Sequence, residues 1–268
     1  MKKKVLILDI DGTLTNSKKE ITDTVLHSLL DIQKNGAKLI IASGRPTHGV
    51  KWIADALRLS EYSGYVLCFN GARIANVKTG EVVYQQKFPR ECLAPLYEYA
   101  KEHDMGLVTY EEDTVIAATR LDAHMEFEAR LNHMELKQVK DFPSYVDFDV
   151  NKCLFTAGVD EAPALERELA IRYKGVISIY RSEPFFIECM PQGVDKAASL
   201  AHLFPKIGVS REDAVACGDG FNDISMIKYA GVGVAMANAQ EAVKEAADMV
   251  TKRTNDEDGL LEVLEKYF

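Results

Sequence analysis

Short apolar runs recur along this chain, and each gives way on its carboxyl side to small or polar residues. Val5-Leu6-Ile7-Leu8 runs into Asp9, residues 39–42 into Ser43, 65–69 into Asn70, 214–217 into Gly218-Asp219, and 232–236 into Ala237-Asn238. Apolar runs without polar alternation are the mark of strands buried on both faces, and such strands belong to parallel sheets. Parallel strands need crossovers, and the stretch between the first two runs supplies one. Residues 21–34 carry apolar side chains at Ile21, Val25, Leu29, Leu30 and Ile32, and Asn35-Gly36 closes them as a helix stop. Residues 226–230 and 239–247 are similar spacers near the other end. A strand–helix–strand order implies right-handed crossovers. Open α/β sheets bind ligands beyond the carboxyl ends of their strands, which is the edge where all these polar residues fall.

The middle of the chain has a different texture. Amphipathic helices are expected over 91–103 and 162–173, among alternating or β-rich pieces at 107–110, 114–118, 151–159 and 176–181. Helices mixed with alternating strands indicate a smaller α+β unit set into the larger fold. The expected organisation is a discontinuous α/β core with a Rossmann-like parallel sheet, 1–85 and 189–268, interrupted by an α+β cap, 86–188.

A chain of 268 residues, 47% hydrophobic and 27% charged, is long enough for two modest domains and ordinary enough in composition to fold without repeats or disorder. Its net charge of -9 argues against nucleic acid or an anionic membrane as the main ligand. The start, Met1-Lys2-Lys3-Lys4 before Val5, imitates a secretory leader, but Asp9 ends the apolar run too early. No stretch is long enough to span a bilayer, and the expected location is the cytoplasm. The five cysteines are widely spaced with no C-x-x-C pair, and the six histidines show no H-x-x-x-H spacing. Neither a disulfide framework nor a zinc site follows.

Residues two apart in extended backbone point the same way, so Asp9 and Asp11 can face one small volume, with Gly12 allowing the tight turn that follows. Further polar clusters stand at Ser43-Gly44-Arg45, at Lys196 and along Gly218-Asp219-Gly220-Phe221-Asn222-Asp223. If Asp9, Asp11, Asp219 and Asp223 converge, their charges require a cation, and oxygen ligands without histidine or thiolate select a hard divalent ion, Mg²⁺. Ser43, Lys196, Asn222 and nearby N–H groups are donors, which beside Mg²⁺ suit a phosphoryl group. A carboxylate attacking phosphorus gives an aspartyl phosphate, and a second carboxylate two residues on can protonate the leaving oxygen and then activate water.

D-x-D-G-T after the first strand, S-G-R after the second, a lysine opening a later helix and G-D-G-x-N-D near the end together resemble the haloacid dehalogenase superfamily of phosphohydrolases. Asn70-Gly71 and Pro191-Gln192-Gly193-Val194-Asp195-Lys196 are similar to its Cof-type branch, whose cap lies between the second and third motifs. The resemblance implies Asp9 as nucleophile and metal ligand, Asp11 as general acid/base with a metal-bound carbonyl, and Asp219 as the third protein ligand. It implies that Asp223 braces the metal shell or Lys196, and that Lys196 offsets charge between nucleophile and phosphate. It further implies phosphoryl binding by Ser43, by the N–H groups of Ile10 and Gly44, and by Asn222, with Arg45 in support.

Single motifs carry less. Gly231-Val232-Gly233 lacks a third glycine and leads into a strand, so it is not a dinucleotide fingerprint. Asp256-Glu257-Asp258 reads as a solvated helix start and Glu111-Glu112-Asp113 as a turn. Arg120, His124, Arg130, Arg181 and Glu183 are candidates for reading the leaving group from the cap. The expected activity is hydrolysis of small phosphorylated metabolites, sugar phosphates first and flavin or pyridoxal phosphates next. The alternatives are transfer of the phosphoryl group to a second hydroxyl, as in a phosphomutase, and a non-catalytic sensor of a phosphometabolite.

Overall fold

The computed structural model describes residues 4–268; Met1, Lys2 and Lys3 of the basic start lie outside the described residues. The chain divides into two compact units. The first comprises the residues up to Gly44, Val50–Tyr84 and Asp195–Phe268; the second comprises Arg45–Gly49 and Gln85–Val194.

The first unit is built on a sheet of β1 (Val5–Leu8), β2 (Lys38–Ala42), β3 (Tyr65–Cys68), β4 (Arg73–Asn76), β5 (Val82–Gln85), β6 (Ala214–Gly218), β7 (Val232–Ala235) and β8 (Met249–Val250). Their spatial order is β8-β7-β6-β1-β2-β3-β4-β5. β1 lies at the centre, parallel to β6 with Val5 opposite Ala214 and parallel to β2 with Val5 opposite Lys38. Every residue of β1 is fully buried, which is why its sequence has no polar alternation. Val5 and Ile7 pack in one cluster with Ile40, Ala216 and the Leu200, Leu203 and Phe204 side chains of the helix Lys196–Ile207.

The first crossover helix spans Asp23–Lys34, capped by Thr22, whose hydroxyl accepts the Val25 N–H at 3.3 Å. Ile21 therefore stands before the cap rather than inside the helix, since the side-chain oxygen satisfies a first-turn donor that helix geometry leaves open. β4 returns antiparallel to β3, with Tyr65 opposite Asn76. Its pattern escapes a sequence reading because only Ile74 and Ala75 stand between Arg73 and Asn76, too short a run to show a period.

The second unit carries a sheet ordered Ile177–Glu183, Phe186–Pro191, Cys153–Thr156, Gly106–Glu111, Thr114–Ala117, Glu135–Gln138. Neighbours are antiparallel except the last pair, joined in parallel through the helix Ala123–Leu131. The helices Leu93–Glu102 and Ala162–Arg172 bury Leu96, Tyr99 and Leu169 in a core with Phe142, Phe155 and Ile187. On alternate strand positions a polar group is buried instead: Lys152 pairs with Glu188 at 3.0 Å, and the Tyr110 hydroxyl donates to Glu128 at 2.7 Å. All five cysteines are free and buried. No helix of the described residues is long and apolar enough to cross a membrane.

Candidate active site

The carboxyl ends of β1, β2 and β6 bring most of the motif residues of the first unit together. Asp9 leaves β1 with its N–H donated to the Cys217 carbonyl of β6 at 3.1 Å, so the two strands fix its backbone. Its carboxylate accepts from the Lys196 ammonium at 2.7 Å. The same ammonium donates to Asp223 at 2.5 Å and to the Ala42 carbonyl at the end of β2 at 2.7 Å. Lys196 is fully buried, and the three acceptors satisfy its three donors. Asp195 caps the helix that carries it by accepting the Ala198 N–H at 2.8 Å, so the lysine projects from a fixed first turn.

Asp223 is also fully buried, and its second oxygen accepts the N–H groups of Asp219 and Gly220 at 3.0 and 2.9 Å. It thereby shapes the turn that presents Asp219. The Asp219 carboxylate in turn accepts the Thr13 hydroxyl at 2.9 Å. A Cβ on Gly12 would lie 2.3 Å from Asp219 Oδ2, so the glycine of the first motif admits the acid of the last. Among the described residues, carboxylate oxygens of Asp9, Asp219 and Asp223 come within 4.8 Å of one another.

The electrostatics follow from this crowding. Burial, then the Asp223 carboxylate, raises the Asp9 pKa to about 8 against the lowering pull of Lys196. Burial raises Asp219 to about 6, with the Thr13 hydrogen bond acting the other way. Burial alone would lower Lys196, but Asp223 and Asp9 outweigh it and hold the ammonium charged well above its usual range. Three carboxylates around one ammonium leave an excess of negative charge on hard oxygen donors. That donor set fits a divalent cation such as Mg²⁺.

The remaining motif residues are more scattered. The Asp11 carboxylate is half-exposed and pairs with Lys19 at 2.8 Å, while the Ile10 carbonyl accepts the Leu14 and Thr15 amides of the following turn. Ser43 is buried, its N–H on the Leu67 carbonyl at 2.8 Å. The Asn222 amide donates to Asn70 Oδ1 at 3.0 Å, and that same Asn70 amide packs against Gly44, where a Cβ would meet it at 3.1 Å. Arg45 belongs to the second unit, donating to the Leu131 carbonyl at 3.2 Å at the end of the helix Ala123–Leu131. Of the cap candidates, Arg120 is paired with Asp104 at 2.8 Å and Arg181 with Glu166 at 2.6 Å, His124 stacks on Phe185 at 4.1 Å, and Arg130 and Glu183 are exposed. Sequence reasoning missed Thr13, Lys19 and the contacts of Asn70; the threonine of D-x-D-G-T was the one with a visible signal.

Residues 6–264 match the family model of haloacid dehalogenase-like hydrolases. A solved haloacid dehalogenase-like hydrolase from Bacteroides thetaiotaomicron is 45% identical and superposes with a TM-score of 0.95, covering 100% of both chains. The HAD subclass IIB sugar phosphatase BT4131 is 25% identical with a TM-score of 0.82, covering 98% of each chain. The Bacillus subtilis protein YcsE, a 5-amino-6-(5-phospho-D-ribitylamino)uracil phosphatase, is 30% identical over 262 residues, 97% of this chain and 94% of its own length. With a family match across nearly the whole chain and phosphatases among its relatives, this protein belongs to the haloacid dehalogenase-like hydrolases, in the Cof-type branch, and is a phosphatase.

Proposed function

We propose that the chain is a Mg²⁺-dependent phosphohydrolase of small phosphomonoesters that works through an aspartyl phosphate on Asp9. The observation that carries this reading is the fully buried Lys196 ammonium held between Asp9 and Asp223 at 2.7 and 2.5 Å, with Asp219 in the same acidic cluster. A lysine so placed pulls the Asp9 pKa down against burial and Asp223, a pull that a bound cation would strengthen, and offsets charge as the carboxylate approaches a phosphate.

In the proposed reaction an Asp9 oxygen forms a bond to phosphorus as the ester P–O bond breaks, and Asp11 gives its proton to the leaving oxygen. Asp11 has to turn from Lys19 to do so. Water then attacks phosphorus, its proton passes to Asp11, and the Asp9–phosphorus linkage breaks to release inorganic phosphate. The N–H groups of Ile10 and Gly44, the Ser43 hydroxyl and the Asn222 amide donate to the phosphoryl oxygens throughout. Asp9, Asp219 and the Asp11 carbonyl would hold the Mg²⁺, with Asp223 in support; bound there, the cation supplies positive charge to the phosphoryl oxygens.

The second unit, as an inserted cap, would select the leaving group and exclude water. BT4131 is a sugar phosphatase, and the YcsE substrate carries its phosphate on a ribityl arm. Their shared chemistry favours a phosphate on a sugar or sugar-alcohol carbon for this chain as well.

A panel of sugar, sugar-alcohol, flavin and pyridoxal phosphates, assayed with Mg²⁺ and with EDTA, tests the reading. Free phosphate released only with Mg²⁺ is the expected result; an isomeric ester as product would assign a mutase instead, and no turnover of any ester would leave the sensor alternative. Mg²⁺ at 100 times its dissociation constant should also stabilise the fold by about 2.7 kcal/mol, seen as a rise in Tm. Asp219→Asn should abolish most of that rise, and an unchanged rise in the variant would remove Asp219 from the metal shell.

A further inference from the structure

The loop after β3 has an unusual backbone. Phe69 and Asn70 both adopt left-handed conformations, with φ of 52° and 53°, and Gly71 follows at 107°. A bulky residue in that region is a genuine outlier, and successive ones persist only where the surroundings over-determine them. Here the surroundings are the phosphoryl-binding motifs. The Asn70 N–H donates to the Ser43 carbonyl at 3.0 Å, its side-chain amide lies against Gly44, and its Oδ1 accepts the Asn222 amide at 3.0 Å. The hydrogen bond between Asn70 and Asn222 joins residues 152 apart in sequence, although Asn222 itself is exposed.

We propose that Asn70 is a positioning residue of the phosphoryl site, holding the Asn222 amide against the Ser43-Gly44 turn so that donors from two separate strand ends act on one phosphate. The inference rests on the phosphoryl-transfer reading above. Ser43 and Gly44 extend from β2 and Asn222 from the turn after β6, with β1 between those strands. The Lys196 ammonium ties Ala42 to Asp223 at the foot of the two turns, and Asn70 joins the turns through the donor side chain itself. Asn70 touches both. An asparagine suits the place twice over: it tolerates the left-handed region better than other side chains, and its amide offers a donor and an acceptor on one short stem.

Asn70→Gly tests this, because glycine accepts the same backbone conformation and removes the side chain alone. The variant should keep the wild-type Tm while kcat/KM falls about tenfold. The decisive comparison is the double-mutant cycle with Asn222→Ala. If Asn70 acts through Asn222, its removal in the Asn222→Ala background should lower kcat/KM by no more than about threefold. A full tenfold loss in that background, or no loss in the single variant, overturns the proposal. Calorimetric affinity for inorganic phosphate in the presence of Mg²⁺ gives the same cycle without turnover. Absent turnover by the wild type would count against the phosphatase reading alone, and additive losses in phosphate affinity would still overturn the role of Asn70.

Discussion

Replacing Asp9 with asparagine is expected to lower kcat by at least about 10⁴-fold, a loss of more than about 5 kcal/mol of transition-state stabilisation. The amide is nearly the same size but is a far poorer nucleophile. The fold should tolerate the change. Burial and Asp223 already disfavour the charged form of Asp9, to the point of raising its pKa to about 8, so a neutral group removes repulsion while its oxygen can still accept from Lys196. A Tm within a few degrees of wild type, measured beside the activity, separates a chemical defect from a folding one. Turnover above one per cent of wild type in the purified variant would contradict the nucleophile assignment.

Lys196→Met is expected to damage both stability and activity. Methionine fills much of the same volume, but it leaves the Asp9 and Asp223 carboxylates and the Ala42 carbonyl buried without their donor. Removing one partner from a buried ion pair costs about 3–5 kcal/mol, which for a chain of this size is a Tm loss of roughly 10 °C. Activity should fall about 10³-fold, since charge at the nucleophile is no longer offset. Adding Asp9→Asn should recover part of the stability and none of the activity, because it lowers the unbalanced charge but removes the nucleophile. A lysine variant that melts like wild type would contradict the ion-pair account of this helix start.

These residues were unequally legible in the sequence. The strand ends were readable because β1, β2 and β6 are buried on both faces, which forces unbroken apolar runs and makes Asp9, Ser43 and Asp219 visible as interruptions. Lys196 was legible only through its motif, since a lysine after a capping aspartate at a helix start is ordinarily solvated; its complete burial is set by three acceptors from distant segments. Thr13 and Lys19 were not legible as partners of Asp219 and Asp11, because hydroxyls and lysines in turns carry no pattern that names a partner.

Arg45 stands three residues after Ala42, yet it groups with the second unit through the Leu131 carbonyl, a contact no local rule encodes. The helix Ala123–Leu131 was missed altogether: Asp122 caps it by accepting the His124 and Met125 amides at 2.8 and 2.9 Å, but charged residues break up its apolar stripe, and Glu128 is buried on it. Its buried acid is satisfied by the Tyr110 hydroxyl from a neighbouring strand. Such a pairing depends on the sheet order of the second unit, which short alternating segments cannot fix by themselves.

The central claim, a phosphoryl group carried on Asp9, is tested most directly by trapping it. An Asp11→Asn variant given p-nitrophenyl phosphate with Mg²⁺ should form the intermediate, because that leaving group departs without a proton, and should hydrolyse it slowly, because water lacks its base. Acid quenching and peptide mass spectrometry should then find the added phosphoryl mass on the peptide containing Asp9, and none when Asp9→Asn is combined with Asp11→Asn. Phosphate release by Asp11→Asn with the phosphoryl group found on another residue, or rapid release with no covalent adduct at any time point, would contradict the account.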